Sequence, residues 1–228
     1  MDEQPSQAVQ DYLKAIHRLG GTDTVVSPAT IATALQVKAP SVTGMLKRLQ
    51  ESGWINYTPK EGAILTQAGL AEALRVIRRH RLVELFLTQV LKLDWSEVDA
   101  EAEALEHAIS PRLEAAIADH LGEPLEDPHG HPIPSSTGVL KQRELQRLSV
   151  FRDGDHVVIR EAQDDNPERL RHWRDLGLVP GATLRVIHYQ PLDDVFEVEV
   201  GGRVIRLGSE GLAGLRGELQ NRANSCPD

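Results

Sequence analysis

The chain of 228 residues carries a formal net charge of −9, and 40% of its residues are hydrophobic, which is ordinary for a globular protein. It has no apolar run near the roughly 20 residues that a membrane helix needs, and its polar start, MDEQPSQAVQ, does not have the pattern of a secretory signal. Its only cysteine is Cys226, which excludes an internal disulfide and a cysteine-rich metal site, so we expect a cytoplasmic protein without a membrane partner.

Residues 1–70 show the element order of a winged helix-turn-helix DNA-binding domain. An apolar repeat over residues 9–19 predicts a first helix that ends at Gly20, and Ser27 before a proline predicts the capped start of a short second helix. A third helix is predicted over residues 40–52, and the segments WINYT and AILT, joined by PKEG, predict a β-hairpin. In this fold, the third helix normally enters the DNA major groove.

The predicted third helix has one apolar face and one face of small, polar and basic residues. Small polar residues suit close approach to base edges, and basic residues suit phosphates. Basic residues outnumber acidic ones by two between Ala34 and Gly62, although the whole chain is acidic. A three-helix domain for protein contacts is the alternative, but the hairpin and the local charge favour DNA. The candidate DNA-contacting residues are Lys38, Pro40, Ser41, Thr43, Gly44, Lys47, Arg48 and Lys60.

Residues 71–140 are predicted to form a helical domain. Its helices are expected over residues 70–91, 96–109 and 111–122, and Ser96 is the expected N-cap of the second. The first of these helices carries a wide apolar surface, which predicts a dimer interface as much as an internal core. That surface consists of Leu82, Val83, Leu85, Phe86, Leu87, Val90 and Leu91.

The connector after these helices, GEPLEDPHGHPIPSSTG, is rich in proline, glycine and histidine. Its two histidines, His129 and His131, could bind a metal. A rigid polar loop is the interpretation that this composition favours.

Residues 148–222 are predicted to form a small β-barrel of SH3-like size. The segments VVIRE, ATLRVIHYQ, VFEVEVGG and RVIRLG alternate apolar and polar residues and are separated by glycine turns. A short helix, PERLRHWRDLG, is expected between the first two strands. The three regions together predict an α+β chain.

The stretch EAEALEHAIS, residues 101–110, concentrates acidic groups on one side of a predicted helix. Glu103, Glu106 and His107 are three and four residues apart and share a face that Asp99 extends, whereas Glu101 reads as an ordinary surface charge. Like charges at this spacing destabilise a helix by a few tenths of a kcal/mol each, and a divalent cation would reverse that sign.

A second set of polar residues points to the same kind of site. His80 and Glu84 are four residues apart on the long apolar helix, and Asp11 lies within the first helix. Each of them alone is more often a surface residue, but together they supply carboxylates and imidazoles from three helices and no thiolate. Oxygen-rich, sulfur-free sites suit Mn²⁺, and also Fe²⁺, better than zinc or copper.

The motifs HRLVE at 80–84, EALEHAIS at 103–110 and PHGHPIP at 128–134 resemble the diphtheria toxin repressor family of metal-dependent regulators. The resemblance covers nearly the whole chain and implies a winged-helix DNA-binding domain, a helical metal-binding and dimerisation domain, and a C-terminal SH3-like (iron-transport-protein-A-like) domain, to which LGLVPGATLRV is similar. It implies a primary metal site at Asp11, Glu103, Glu106 and His107, and an ancillary site at His80, Glu84 and Asp99.

Several positions depart from the patterns of this family. Iron-sensing members usually place methionine and cysteine where this chain has Asp11 and Glu103, so those two resemble the manganese branch, although that branch lacks the SH3-like domain. The manganese branch typically has an acid where this chain has Lys14, which argues against a closely bridged pair of metals. Asp99 occupies an ancillary-site position that is usually histidine in this family. In the segment NPER, residues 166–169, only the first and third residues, Asn166 and Glu168, could add ligands.

The resemblance implies a manganese-activated homodimeric repressor that binds a palindromic double-stranded operator near metal-uptake genes and takes no small organic substrate. Iron activation is the main alternative. A metal enzyme with a carboxylate site is a less favoured alternative, because the helical region has no second Glu-x-x-His and no nucleophile constellation. A third alternative is a regulator that senses an organic ligand. Replacing Glu106 with alanine would distinguish it from a metal sensor, because only a metal sensor should lose DNA binding.

Overall fold

The computed structural model describes residues 5–141, 143–163 and 166–222. The chain divides into two compact units. The N-terminal unit comprises Met1–His80, Glu103–Ala115 and Pro134–Leu140, and the C-terminal unit comprises Arg81–Ala102, Ala116–Ile133 and Lys141–Asp228. None of the helices in the described ranges combines the length and apolar character needed to span a bilayer.

The N-terminal unit begins with the predicted winged helix-turn-helix. Its elements are α1 (Gln7–Arg18), α2 (Pro28–Ala34), α3 (Ala39–Glu51), β1 (Ile55–Thr58) and β2 (Gly62–Leu65). The Ser27 hydroxyl accepts a hydrogen bond from the Thr30 amide at 3.1 Å, which confirms the predicted cap of α2. The two strands pair antiparallel, with Thr58 opposite Gly62, so PKEG does form the tip of a hairpin.

One apolar core holds these elements together. Leu13 and Ile16 of α1 are fully buried in the same cluster as Leu46 and Leu49 of α3. Because burying a leucine or isoleucine side chain contributes about 1.5–3 kcal/mol, this shared core ties α1 firmly to α3.

Three further helices follow: α4 (Gln67–Gln89), α5 (Val98–Leu105) and α6 (Pro111–His120). The helix α5 is shorter at both ends than the predicted 96–109. At its start, the backbone N–H and the hydroxyl of Ser96 both donate to Asp94 Oδ1, at 2.9 and 2.6 Å, so Ser96 belongs to a turn and is not the N-cap. At its end, Glu106 and His107 lie in a turn, where Ala108 N–H bonds the Leu105 carbonyl at 2.9 Å.

The apolar surface predicted on α4 is mostly internal. Four of its residues are at least 94% buried within the single chain: Leu82, Val83, Leu85 and Leu87. Val90 and Leu91, by contrast, are 38% and 54% exposed. The internal-core alternative is therefore correct for those four residues, and the partly buried Phe86 together with Val90 and Leu91 remains accessible to a partner.

The C-terminal unit carries a six-stranded antiparallel sheet. The strands are β3 (Gln146–Arg147), β4 (Asp155–Ala162), β5 (Thr183–Gln190), β6 (Val195–Val200), β7 (Arg203–Gly208) and β8 (Leu215–Arg222). Their order in the sheet is β3-β8-β4-β5-β6-β7. The helix α7 (Pro167–Leu176) covers its core, with Trp173 fully buried.

The strand β8 was not predicted, because its sequence, LRGELQNR, has only two apolar residues. Its first residue, Leu215, is buried in the core of the sheet, and the strand pairs antiparallel with both β3 and β4. Gly217 makes this possible, since a Cβ there would lie 2.5 Å from the Val158 carbonyl oxygen.

Candidate metal centre and nucleic-acid interface

Three predicted metal ligands meet in the N-terminal unit. Asp11 lies on α1, and Glu106 and His107 lie in the turn after α5, so residues about 95 positions apart become neighbours. One ligand atom from each lies within 4.8 Å of the others. His107 Nε2 is 2.8 Å from Asp11 Oδ1 and 3.3 Å from Glu106 Oε1. We call Asp11, Glu106 and His107 the open cluster.

The tautomer of a neutral His107 ring follows from its neighbours. The amide N–H₂ of Gln10 donates to Glu72 Oε1 at 2.8 Å, which fixes the amide orientation because a carboxylate can only accept. The amide oxygen of Gln10 then faces His107 Nδ1 at 2.8 Å and must accept from it. In the neutral ring with its proton on Nδ1, the Nε2 atom presents a lone pair to the open cluster, which is the usual arrangement of a metal-binding histidine.

Two buried atoms of the open cluster lack a hydrogen-bond partner among the described residues: Asp11 Oδ1 and His107 Nε2. A carboxylate oxygen and an imidazole lone pair at 2.8 Å repel each other unless a cation or a proton lies between them. Imidazole nitrogen and carboxylate oxygen are donors that first-row divalent metals accept. The open cluster therefore fits a divalent metal ion, which would supply the positive charge that compensates these donors.

Gln10 and Glu72 were not predicted as functional residues. Both are almost fully buried, at 3% and 5% exposure, and they form a chain from α4 through α1 to His107. The sequence offered only a weak signal for them. Gln10 directly precedes the candidate ligand Asp11, and Glu72 is a single acid among apolar neighbours. Such partners orient a metal-binding imidazole.

The two carboxylates of the open cluster have opposite pKa shifts. Burial raises the pKa of Asp11; His107 opposes this, and the nearby charges of Glu103 and Glu106 add to it. Burial also acts to raise the pKa of Glu106, but the hydrogen bond from His80 and the charge of Lys14 outweigh it, so the pKa is lowered. Glu106 is thus held as a carboxylate, whereas at Asp11 the effect of His107 does not outweigh burial and the neighbouring acids.

Glu103, the fourth predicted primary ligand, takes part in a different group. Its Oε2 lies 2.6 Å from the ammonium nitrogen of Lys14, and its side chain is 48% exposed. It offers ligand atoms together with His80 and Glu106. His80 Nδ1 is only 2.7 Å from Glu106 Oε2, so a histidine assigned by the resemblance to the ancillary site also adjoins the primary ligands. We call His80, Glu103 and Glu106 the filled cluster, because Lys14 lies within it.

Glu84 and His129 form a buried pair in the C-terminal unit. His129 is 5% exposed, stacks on Trp95 and has its Nδ1 3.4 Å from Glu84 Oε1. Burial acts to lower the pKa of His129, but the bond to Glu84 outweighs it and the pKa is raised. The connector is therefore an ordered loop with a buried histidine, rather than a purely polar one. The ancillary set of His80, Glu84 and Asp99 stays a prediction.

Two other groups of candidate ligands have structural roles. Asp127 Oδ1 accepts the backbone N–H groups of His129 and His131 at 2.8 and 3.0 Å, which shapes the loop between them. The Asn166 side chain accepts from the Glu168 amide at 2.9 Å and caps α7.

The candidate DNA-reading surface is the exposed face of α3. Val42, Met45, Leu46 and Leu49 point into the core, so the remaining positions face outward. A Cβ at Gly44 would meet no atom within 4 Å, so this face is open at its centre. Lys60 lies at the hairpin tip with a positive φ of 74°. The predicted contact residues are all exposed: Lys38, Pro40, Ser41, Thr43, Gly44, Lys47, Arg48 and Lys60.

Comparison with known proteins agrees with these features. Residues 6–63 match the N-terminal DNA-binding domain of iron-dependent repressors, residues 66–135 match their metal-binding and dimerisation domain, and residues 146–213 match the FeoA domain. The iron-dependent repressor IdeR of Mycobacterium leprae (strain TN) is 30% identical over 187 residues, which are 77% of this chain and 81% of that protein.

Solved structures show the same similarity. A manganese-dependent transcriptional repressor in complex with manganese is 34% identical, with a TM-score of 0.83 over 92% of this chain and 98% of that one. IdeR of T. acidophilum is 25% identical, with a TM-score of 0.73 over 92% and 97%. The chain therefore belongs to the diphtheria toxin repressor family: it is a metal-dependent, DNA-binding transcriptional repressor and not an enzyme, with DNA and a second copy of itself as partners.

Proposed function

We propose that this protein is a manganese-activated repressor that binds a palindromic operator as a homodimer and controls genes for metal uptake. Its activating ion is held by Asp11, Glu106 and His107, with Glu103 beside them. The observation that carries the proposal is the pair of unpartnered buried atoms, Asp11 Oδ1 and His107 Nε2, 2.8 Å apart on separate elements.

The choice of manganese rests on donor chemistry. The open cluster offers carboxylate oxygens and one imidazole and no sulfur, and Mn²⁺, which binds weakly in the Irving–Williams order, needs several charged oxygens. A relative described as a manganese-dependent repressor, at 34% identity, supports this choice. Iron is the second candidate, because the relative from Mycobacterium leprae is described as an iron-dependent repressor.

The helix α1 supplies the connection between metal and DNA. It carries Asp11, and its Leu13 and Ile16 are buried in the same core as Leu46 and Leu49 of α3. An ion that binds Asp11 and the turn after α5 restrains α1, and α1 in turn restrains α3. The ion binds the restrained arrangement better, so it increases the population that fits DNA.

Operator binding by α3 follows its exposed chemistry. Ser41, Thr43 and Gly44 approach base edges, and Lys47 and Arg48 contact phosphates, with Lys60 on the backbone from the hairpin. Two copies of α3 in a symmetric dimer read half-sites about one helical turn apart, which is why the operator is expected to be palindromic.

Fluorescence anisotropy on a palindromic duplex, selected from a random pool in Mn²⁺, tests the proposal. We expect tight binding in Mn²⁺, weaker binding in Fe²⁺ under anaerobic conditions, and loss of binding in chelator. Equal affinity in metal and chelator would contradict metal activation, and tighter binding in Fe²⁺ would favour the iron-activated alternative.

A matched pair of variants separates a metal effector from an organic one. His107→Ala removes one ligand but leaves the Lys14–Glu106 ion pair intact, whereas Glu101→Ala removes an exposed acid from α5. We expect the His107 variant to lose its response to Mn²⁺ and the Glu101 variant to keep it. A full response in the His107 variant would point to a different effector.

A further inference from the structure

Lys14 lies in an unusual environment for a lysine. It is on α1, one turn after Asp11, and its side chain is 3% exposed. Lysine is almost never fully buried unless it is paired. Its ammonium nitrogen lies 2.6 Å from Glu103 Oε2 and 2.8 and 2.7 Å from the two oxygens of Glu106. Three donors thus meet three carboxylate oxygens.

The histidine of the filled cluster completes the arrangement. His80 Nδ1 is 2.7 Å from Glu106 Oε2 and 3.2 Å from the Lys14 nitrogen. The shorter distance assigns the Nδ1 proton to Glu106, which agrees with the lowered pKa of that carboxyl. The ammonium group is therefore enclosed by the side chains that would otherwise surround a metal ion.

The filled cluster has the donor set of a second cation site. His80, Glu103 and Glu106 offer ligand atoms within 4.8 Å of one another, and Glu106 belongs to the open cluster as well. Two cations placed in the two clusters would share the Glu106 carboxylate, with Oε1 toward His107 and Oε2 toward His80. The Lys14 ammonium group is one of those cations, and it cannot dissociate because it is part of the chain.

We propose that the Lys14 ammonium group permanently occupies the second cation position, so that the site accepts one exchangeable divalent ion per protomer, in the open cluster. This inference rests on the proposed function, and it assigns a role to a residue that is not a metal ligand. A second ion would have to displace a buried, fully hydrogen-bonded ammonium group. Lys14 also compensates Glu106 before any metal arrives.

The test counts Mn²⁺ ions on the full-length protein, by equilibrium dialysis with elemental analysis, and records their frozen-solution EPR spectrum. All proteins carry Asp99→Asn, which removes the exposed acid of the predicted ancillary set from the count. With Lys14 present we expect one ion per protomer and an uncoupled six-line spectrum. Two ions per protomer with spin-coupled lines would overturn the inference.

Two substitutions remove the ammonium group in different ways. Lys14→Glu replaces it with a ligand, and Lys14→Met keeps an apolar stem of similar length. We expect each to bind one additional Mn²⁺ per protomer and to show spin–spin coupling, because the two ions share Glu106. Lys141→Glu, an exposed position with the same charge change, is the matched control and should keep one ion. An unchanged count in a folded Lys14 variant contradicts the inference.

Two further measurements show whether a variant is folded and whether the protein still responds to metal. Near-UV circular dichroism in excess Mn²⁺ verifies that each variant is folded, and the count on the protein with Lys14 decides the matter even where a variant fails to fold. Two bound ions together with metal-dependent operator binding would overturn the Lys14 role alone. If no ion binds and the operator affinity is the same with and without metal, the proposed function is overturned as well.

Discussion

Single polar residues determine the chemistry of this centre. Asp11 and His107 face each other without hydrogen-bond partners, while Glu106, fully buried, is compensated by Lys14 and His80. The carboxylates of one small site therefore have different roles before any ion binds. Asp11 is the group whose charge the proposed metal would compensate, whereas the charge of Glu106 is already compensated by Lys14 and His80.

The raised pKa of Asp11 gives a stability effect of known sign. The folded apo-protein holds the Asp11 proton more tightly than the unfolded chain does, so this group stabilises the fold below its unfolded pKa, about 3.9, and the stabilisation is lost as pH rises through the folded value. Glu106 has a lowered pKa, so its contribution has the opposite sign and is lost as pH falls.

Asp11→Asn should therefore stabilise the apo-protein near pH 7 and abolish stabilisation by metal. We expect a gain of about 0.2–0.5 kcal/mol in chelator, the usual cost of like-charged neighbours, and no gain on adding Mn²⁺. Thermal unfolding followed by circular dichroism measures both, with the exposed Asp23→Asn as the control. A less stable apo-variant at neutral pH would contradict the assignment.

Gln10 should matter for metal affinity although it does not touch the ion. Gln10→Leu removes the acceptor that holds the proton on His107 Nδ1, so the imidazole loses its fixed tautomer and orientation. We expect Mn²⁺ affinity to fall by roughly 10–100-fold, the range for such supporting residues. Calorimetric titration measures it, with the exposed Gln7→Leu on the same helix as control. Unchanged affinity would show that the Gln10 contact is incidental.

At the scale of elements, α3 divides its residues between the core and an exposed face. Its four buried apolar residues fix which side faces outward, and the outward side carries small, polar and basic groups. The orientation of this helix is thus determined by its packing, and its proposed DNA contacts follow from that orientation.

Arg48→Ala should weaken binding to every DNA sequence by a similar factor and reduce its salt dependence. Loss of one phosphate contact lowers the slope of log K against log salt by about 0.9. Anisotropy titrations between 50 and 200 mM salt, as in comparable systems, measure the slope. The exposed Lys92→Ala, which lies just beyond α4, is the control. An unchanged slope would remove Arg48 from the interface.

The strand β8 depends on a close backbone approach at Gly217. Gly217→Ala would place a methyl group 2.5 Å from the Val158 carbonyl oxygen, so the strand pair must separate. We expect a loss of about 1–3 kcal/mol in the free energy of unfolding, typical of overpacking. Gly211→Ala is the control, because its Cβ would meet only ordinary contacts at 3.5 Å. Denaturant unfolding measures both, and equal stability would contradict the argument.

At the scale of the whole molecule, the proposed metal site and the proposed DNA-reading helix lie in one compact unit. The open cluster and α3 both belong to the N-terminal unit, and α1 contributes to each. Thermodynamic linkage then requires that the two ligands affect each other equally.

Operator DNA should tighten Mn²⁺ binding by the same factor by which Mn²⁺ tightens DNA binding. We expect a factor of about 5–150, the usual range for coupling between sites. Mn²⁺ titrations with and without saturating operator, compared with anisotropy in Mn²⁺ and chelator, give the two factors independently. Two unequal factors would mean that a further equilibrium, such as dimerisation, is involved.

The sequence by itself determined the local features. The period of apolar residues predicts α1 and α3, Ser27 and Pro28 predict the start of α2, and the acids near residue 103 predict a cation site. These signals are readable because helix caps, turns and amphipathic faces depend on residues only a few positions apart. Strand β8 and the true ends of α5 were missed, because hydrogen bonds to distant segments or an irregular turn decide them.

Only the tertiary structure decided how the polar residues divide between the two clusters. The family resemblance placed Glu103 with Asp11 in the primary site and His80 in the ancillary site. It marked Lys14 only as a position where the manganese branch typically has an acid. In the folded chain Lys14 reaches Glu103 and Glu106, which are 89 and 92 positions away, and Gln10 reaches Glu72, 62 positions away. No local pattern encodes these contacts, because the packing of α1 against distant segments determines which charges become neighbours.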